Sequence, residues 1–232
     1  MRRTDRTSQA AIDAAVAGGL LARMPAEVRE TVASGSTLVR LASKTYFAHS
    51  GDAPRIGLVV KGMFRMGRVT ADGRDLTVFW ERPGAVLGLA AAVRSPAPSF
   101  VQAVTDATVL DLPAGLILGL ARTDARVGWA VTEYLATLVR RAVDEVVVYA
   151  YGDLRTRIER RLLEAAFKQQ GSGTPVIAQV TQDDLAHAVG AARPSVARVL
   201  RELRDEGSIR SMYGGVLIVR PEALLSARTD AA

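Results

Sequence analysis

The stretch Val180 to Ile209, VTQDDLAHAVGAARPSVARVLRELRDEGSI, constrains the fold most, because nearly every boundary in it carries its own local signal. Thr181 suits a helix N-cap, and Asp183 and Asp184 fall in the first turn, where negative charge meets the positive end of the helix dipole. Leu185, Ala186 and Val189 supply an apolar face, and Gly190 stops the helix where a left-handed residue is needed. After the turn Gly190-Ala191-Ala192, Pro194 suits the first position of a new helix, since its missing N–H would have lacked a partner anyway. Val196, Val199, Leu200 and Leu203 then recur at helical spacing, while Arg193, Ser195, Arg198 and Arg201 fall on or near the opposite side.

A helix, a tight turn and a second helix with arginines near its N-terminus is the geometry that lays a recognition helix in the DNA major groove. Arginine can pair bidentately with guanine O6 and N7, or hold a phosphate. The alternative is a helical hairpin with a solvated arginine face. Ile209 to Tyr213 and Val216 to Val219 follow as β-prone runs around Gly214-Gly215, a two-residue hairpin signal. Helix-turn-helix plus hairpin is a winged helix. Arg193, Ser195, Arg198 and Arg201 are therefore the candidate DNA contacts, with Thr181, Gln182 and Tyr213 as candidates that position the helix on the backbone.

Upstream, the period changes twice. Met1 to Gly19 is polar and alanine-rich and is expected to be a flexible N-terminal segment. Leu20 to Ala33 reads as one or two short helices broken at Pro25. From Ser36 to Leu112 the chain falls into short apolar runs: 37–41, 56–61, 64–70, 76–80, 100–105 and 108–112, with an Asp-Gly turn at 71–74. That spacing predicts an antiparallel sandwich or barrel. Helical period then returns, and 129–151 runs without Gly or Pro, with Val131, Leu135, Leu138, Ala142, Val146 and Tyr149 stepping by three or four. Part of this seam packs on the β domain, and a seam this long also fits a two-fold dimer. Gly152-Asp153 is the candidate hinge, a helix follows over 154–167, and 169–175 (QQGSGTP) is a loop by composition. The predicted class is α+β: a β-roll domain over 20–121, a long dimerisation helix over 122–151 and a winged helix-turn-helix domain over 152–232.

Composition narrows the function. The 232 residues include no Cys and two His, which removes disulfides, thiolate metal sites and thiol redox chemistry, and leaves too few ligands for a cupin-type metalloenzyme. No metal site is expected. No Ser-His-Asp set, glycine-rich phosphate loop or paired-carboxylate motif is present, so no enzyme is expected. There is no apolar run of about 18 residues and no signal-peptide pattern after Met1, which predicts a soluble cytoplasmic protein without a membrane partner. The formal charge of +6 permits an anionic partner without showing one.

The order β-roll, long helix, hinge, winged helix resembles the CRP/FNR family of bacterial transcription regulators over roughly 20–225. Phe47-Ala48-His49-Ser50-Gly51-Asp52 resembles the family's strand and turn ending in Gly-Asp, Leu58 to Gly62 its apolar strand closed by Gly, and Pro83 to Gly88 the segment that opens its effector site. Val180 to Ile209 matches its DNA-reading unit without a gap. The resemblance implies a homodimeric, DNA-binding transcription regulator on a near-palindromic site, with RNA polymerase as a further partner if it activates.

Departures from the family pattern bear on the effector. Cyclic-AMP-binding members carry a Glu directly after the Gly matching Gly88, and an Arg-Ser or Arg-Thr further on that holds the cyclic phosphate. Here Leu89 follows Gly88, and 95–99 holds no arginine, Arg94 being displaced by about three residues. Anchored on Asp153, the long-helix positions that contact adenine fall near Ala142 and Val143, both apolar. Burying a cyclic phosphate without a paired cation would cost several kcal/mol, so no control by cyclic AMP is expected. Gly88, Leu89, Ala90, Val93, Ala142 and Val143, with Leu87, Ala91 and Ala92, would make a small apolar pocket. Either alanines fill it and the protein binds DNA without a ligand, or it takes an apolar or haem-like effector. His49 is read as a surface residue beside its turn rather than a haem ligand. At the DNA end the family's Arg-Glu-x-x-x-Arg appears as Arg193-Pro194-Ser195-Val196-Ala197-Arg198. Both arginines are kept and the glutamate is lost, which predicts a different half-site. The rival function is a ligand-sensing module that regulates a protein partner, its helix-turn-helix serving only for packing.

Overall fold

The computed structural model describes residues 4–71, 75–93, 99–167 and 175–224. The expected turn at 72–74, the displaced Arg94 with residues 95–98, the loop at 169–174 and the C-terminal residues from 225 lie outside them. The chain forms two compact units, one ending at Val143 and the next beginning at Asp144.

In the first unit, α1 (Thr4–Val16), α2 (Gly19–Ala22) and α3 (Ala26–Ser34) precede, among the described residues, eight strands: β1 (Thr37–Leu41), β2 (Tyr46–His49), β3 (Ile56–Lys61), β4 (Phe64–Val69), β5 (Asp75–Glu81), β6 (Val86–Leu87), β7 (Ser99–Ala103) and β8 (Ala107–Leu112). A one-turn helix α4 (Leu89–Ala92) lies between β6 and β7, and α5 (Ala114–Thr123) and α6 (Ala125–Tyr151) follow β8. The strands make two antiparallel four-stranded sheets, ordered β1-β8-β3-β6 and β2-β7-β4-β5. Alternation along each strand divides the side chains between two cores. Val59, Leu87 and Val109 of the first sheet meet Phe47, Phe64 and Val101 of the second. Ile56, Leu58, Leu110 and Leu112 on the other face of the first sheet meet Leu20 and Leu21 of α2, Val32 of α3, Ile117 of α5 and Val127 of α6. Each such residue, at or near zero exposure, contributes roughly 1.5–3 kcal/mol relative to an exposed position.

Three expectations change here. The N-terminal segment over 1–19 is helical from Thr4 rather than flexible, because Ala11, Ile12, Ala15 and Val16 form a stripe that packs on the helix-covered core, with Ala15 buried. The first unit extends past the expected end at 121 to take in the first part of α6, so the units divide at 143/144 instead of at the hinge. The long helix is apolar on two sides. Val131 is buried, and Leu135 and Leu138 pack on the same core, so these three seam positions belong to the chain's own fold. Ala142 is half-buried. Among the seam residues named from sequence, Val146 is exposed, and the Tyr149 side chain lies outside the described residues. Exposed large apolar residues of α6 are Trp129 and Tyr151 near its ends and, between them, a stripe of Val139, Val143, Val146 and Val147, each 51–66% exposed.

Two polar contacts bind α6 to the sheets. The Tyr134 hydroxyl accepts from the Val86 N–H at 2.8 Å, and burial pushes this phenol above its ordinary pKa. Arg141 donates from both terminal nitrogens to Glu81 of β5, at 3.1 and 3.0 Å, and the Glu81 side chain is 2% exposed.

In the second unit, α7 (Leu154–Phe167) leads through β9 (Val176–Ala178) to α8 (Gln182–Val189), α9 (Arg193–Asp205), β10 (Ile209–Met212) and β11 (Gly215–Ile218). Asp153 caps α7, its carboxylate accepting from the Thr156 N–H at 2.7 Å, which explains the interruption at Gly152-Asp153. The wing sheet has the order β10-β11-β9, so β9 adds a third strand too short to stand out in the sequence. The hairpin turn sits one residue earlier than expected: Met212 pairs with Gly215, leaving Tyr213-Gly214 as the two-residue turn. Gly214 takes the left-handed conformation (φ 74°) and Gly215 belongs to the strand, where a Cβ would sit 2.6 Å from the Ala178 carbonyl oxygen. Among the described residues no helix is long and apolar enough to cross a membrane.

Candidate nucleic-acid interface

α8 begins with a reciprocal cap. The Thr181 hydroxyl accepts from the Asp184 N–H at 3.1 Å and donates to the Asp184 carboxylate at 2.6 Å, while that carboxylate also accepts from the Thr181 N–H at 3.1 Å. These bonds hold the Asp184 carboxyl below the usual carboxylate range. Thr181 is thus committed to the cap, and its side chain orders the helix start. At the other end Gly190 is left-handed (φ 61°), and the Ala191 N–H bonds the Ala186 carbonyl, closing the turn into α9.

Pro194 lies in the first turn of α9, one place after Arg193, which is the first helical residue. Val196, Val199, Leu200 and Leu203 are buried, and with Leu185, Ala186 and Val189 of α8 they form the apolar side of the pair. Arg193, Arg198 and Arg201 are exposed, and Ser195 is half-buried. Arg193 reaches Asp183 at 3.4 Å and Arg198 reaches Glu202 at 3.9 Å, with every partner at least 45% exposed. Such pairs are worth about 0–1 kcal/mol and are screened by salt, so a phosphate or a guanine edge competes with them readily. The α9 N-terminus has no side-chain cap, the Ser195 and Val196 N–H groups bonding the Ala192 carbonyl instead, and the positive dipole end lies beside these arginines.

The wing presents Tyr213 at its turn, fully exposed, with Met212 and Arg210 also exposed. Arg210 is a basic wing position not singled out from sequence; its place on a β-prone run next to the turn is the signal that marks it. Gln182 is half-exposed in the first turn of α8. The predicted DNA residues therefore fall on α8, α9 and the wing of one unit, and the face of α9 turned away from its core carries the arginines.

The predicted effector residues come together only in part. A cavity of about 780 Å³ in the first unit is lined by Gly88, Ala91 and Ala92, by Ser99 to Val101, and by the Ala48 to Arg55 turn. Leu89 points into the helix-covered core at 1% exposure, Leu87 lies between the sheets, and Ala90, Val93 and Val143 are on the surface. Neither Ala142 nor Val143 lines the cavity, because α6 turns Val143 outward. The lining is also less apolar than expected, since it includes His49, Asp52 and Arg55. Arg55 is the cation that sequence reasoning missed, and the structure neutralises it: Nη2 donates to Asp111 at 2.6 Å, Nη1 donates to the Phe47 carbonyl at 2.9 Å, and the guanidinium lies 4.1 Å from the Phe47 ring centroid. His49 is exposed, stacks edge-on against Tyr46 at 4.9 Å, and its backbone N–H donates to the Asp52 carboxylate.

Comparison with known proteins gives the same two-part reading. Residues 38–124 match the cyclic nucleotide-binding domain and residues 156–227 the Crp-like helix-turn-helix domain. The chain is 30% identical over 198 residues to the transcriptional regulator SdrP of Thermus thermophilus, covering 83% of this chain and 91% of that one. It is 24% identical over 184 residues to a CRP-like cAMP-activated global transcriptional regulator of Mycobacterium tuberculosis, covering 78% and 82%. A solved structure described as a CRP/FNR-family regulator from Eubacterium rectale has the same fold, with a TM-score of 0.57 and 19% identity over 88% of this chain and 95% of that one. With its cyclic nucleotide-binding-like β domain, its long helix and its Crp-like helix-turn-helix, the chain belongs to the CRP/FNR family of transcriptional regulators.

Proposed function

We propose that this DNA-binding regulator acts as a homodimer on a near-palindromic site and does so without cyclic AMP or another cofactor. The observation that carries the DNA reading is α9, whose apolar face is buried while Arg193, Arg198 and Arg201 stay exposed beside an exposed wing tyrosine. The open stripe Val139, Val143, Val146 and Val147 supports the dimer: valines at this spacing on a helix are covered economically by the same stripe of a second copy. Two copies related by a two-fold axis present two recognition helices, which calls for half-sites about one helical turn apart.

Independence from cyclic AMP is supported by the cavity. Its described lining offers one arginine, already paired with Asp111, and Leu89 is buried where cyclic-AMP-binding relatives place a glutamate. The Mycobacterium tuberculosis relative, 24% identical, is cAMP-activated; on this reading the chain differs from it in that respect. If the regulator activates, RNA polymerase is its further partner.

The test is selection of sites from random or genomic DNA with purified, ligand-free protein at a stated salt concentration. An enriched two-fold-symmetric motif is expected. Absence of any enriched motif, or enrichment that appears only with cyclic AMP and is matched by micromolar binding in calorimetry, would overturn the proposal.

A further inference from the structure

Arg155 stands two residues beyond the Gly152-Asp153 break, in the first turn of α7, and each of its three nitrogens is engaged within the second unit. Nη1 and Nη2 donate to the two carboxylate oxygens of Glu206 at 2.7 and 2.6 Å, and Nε donates to Glu159 at 2.9 Å. Glu159 is on α7 and 3% exposed; Glu206 is the C-cap of the recognition helix. The same corner is held from the wing. Arg220, just past β11, donates to the Glu206 carbonyl, and the N–H groups of Val219 and Arg220 both bond the carbonyl of Ser208, which is buried. The point where α9 ends and the wing begins is therefore tied to the start of α7 by a charged fork and to the end of β11 by backbone bonds.

Stability alone is a poor account of this fork. Burial pushes the Glu159 carboxyl up, against the pull of Arg155, so part of the attraction is spent on desolvation. What a bidentate guanidinium supplies beyond attraction is direction. The apolar side of α9 presses the helix onto its neighbours without fixing its tilt closely, since hydrophobic contact is non-directional.

We propose that Arg155 is a positioning residue for sequence recognition: it sets the tilt at which α9 offers Arg193 and Arg198 to base edges. The inference rests on the reading of α9 as the element that reads bases. From Glu206 to Arg193 the helix runs about 20 Å at 1.5 Å per residue. A rotation of about 5° about the Glu206 corner then moves Arg193 by about 1.7 Å, against a tolerance of about 0.5 Å for a productive contact. Phosphate attraction through long basic side chains survives such a shift; bidentate base pairing does not.

The experiment measures Kd by fluorescence anisotropy for the full chain on its selected site and on a scrambled duplex of equal length, at one salt concentration. The proteins are wild type, Arg155→Gln, Arg155→Lys, Glu206→Gln and the Arg155→Gln/Glu206→Gln double, each with its melting temperature. Arg155→Gln and Glu206→Gln are both expected to lower the ratio of specific to scrambled affinity by about 10-fold, within the range of one bidentate base contact. The double should be no worse than either single, and Arg155→Lys should recover only part of the ratio. One variant removes a positive charge and the other a negative one, so a general electrostatic effect would move them in opposite directions. A ratio within about 2-fold of wild type in both singles, opposite shifts in the two, or equal weakening on both duplexes overturns the proposal. A wild type without sequence preference instead overturns the reading of α9, and the inference falls with it.

Discussion

Removing Arg141 should destabilise the first unit more than removing Arg141 and Glu81 together. The Glu81 carboxylate is 2% exposed and takes two bonds from Arg141, whose side chain is 35% exposed and whose guanidinium lies 5.6 Å from the Phe79 ring centroid. Arg141→Leu keeps most of the apolar stem but strips a buried carboxylate of this bidentate partner. Losing one member of a fully buried pair costs about 3–5 kcal/mol, and partial exposure of the arginine places this case near the lower end, about 3 kcal/mol. At roughly 2–4 °C per kcal/mol for a unit of this size, the melting temperature should fall by about 9 °C. The double variant Glu81→Leu/Arg141→Leu removes the buried charge as well and should lie within about 1 kcal/mol of wild type. Scanning calorimetry of the full chain at pH 7 reads both values. An Arg141→Leu protein that melts within about 2 °C of wild type, or a double variant worse than the single, would refute the claim that the pair's desolvated carboxylate sets the cost.

Three further outcomes follow from named contacts. Val143→Glu combined with Val146→Glu places like charges on the open α6 stripe and should convert a sedimenting dimer to a monomer at micromolar concentration, lowering affinity for a two-half site by more than about 10-fold. Unchanged sedimentation would move the dimer contact elsewhere. Arg198→Ala should cost about 1–3 kcal/mol on the selected site and relax preference at one base pair, whereas an equal loss on all sequences would reassign Arg198 to a phosphate. The carboxyls of Asp153 and Asp184 lie below their ordinary range because they accept bonds, chiefly from the Thr156 N–H and from Thr181. A depressed folded-state pKa contributes stability that is present above the unfolded value of about 4 and is lost as pH falls through the folded value. Urea midpoints of the Asp153→Asn and Asp184→Asn proteins should therefore fall less steeply than wild type below about pH 4; parallel curves would refute it.

The winged helix was legible because its signals are local. A cap at Thr181, a left-handed Gly190, a proline in the first turn of α9 and the glycines of the hairpin each act within a few residues, and only the turn register slipped, by one position, when Gly215 proved to be needed against β9. Most strands were legible for the same reason. α6 was not, because both of its sides are apolar: Val131, Leu135 and Leu138 on one, Val139, Val143 and Val146 on the other. Periodicity finds such stripes but cannot say which of them the chain covers itself. The cavity failed in a related way. Gly88, Ala91 and Ala92 were found, yet its other wall is the Ala48 to Arg55 turn, brought there by pairing of β2 with β7 and β3 with β8 across about fifty residues of chain. α1 was missed although Ala11, Ile12, Ala15 and Val16 already had helical spacing, because alanine-rich stretches near a terminus signal order only when something packs on them.

Ligand-independent action also gains support from how the first unit disposes of its charges. A cyclic nucleotide brings a phosphate monoanion that must be desolvated, and it needs a cation whose own field is not already spent. Arg55 lines the cavity but is 2.6 Å from Asp111 on β8, and Arg141, the arginine of α6 nearest in sequence to Ala142, is held on both terminal nitrogens by Glu81 of β5. An anion entering the cavity would compete with Asp111 for the Arg55 guanidinium. Among the described residues Arg55 and Arg141 thus serve the sheets and the long helix, and an anionic effector would have to compete with the carboxylate that each already holds.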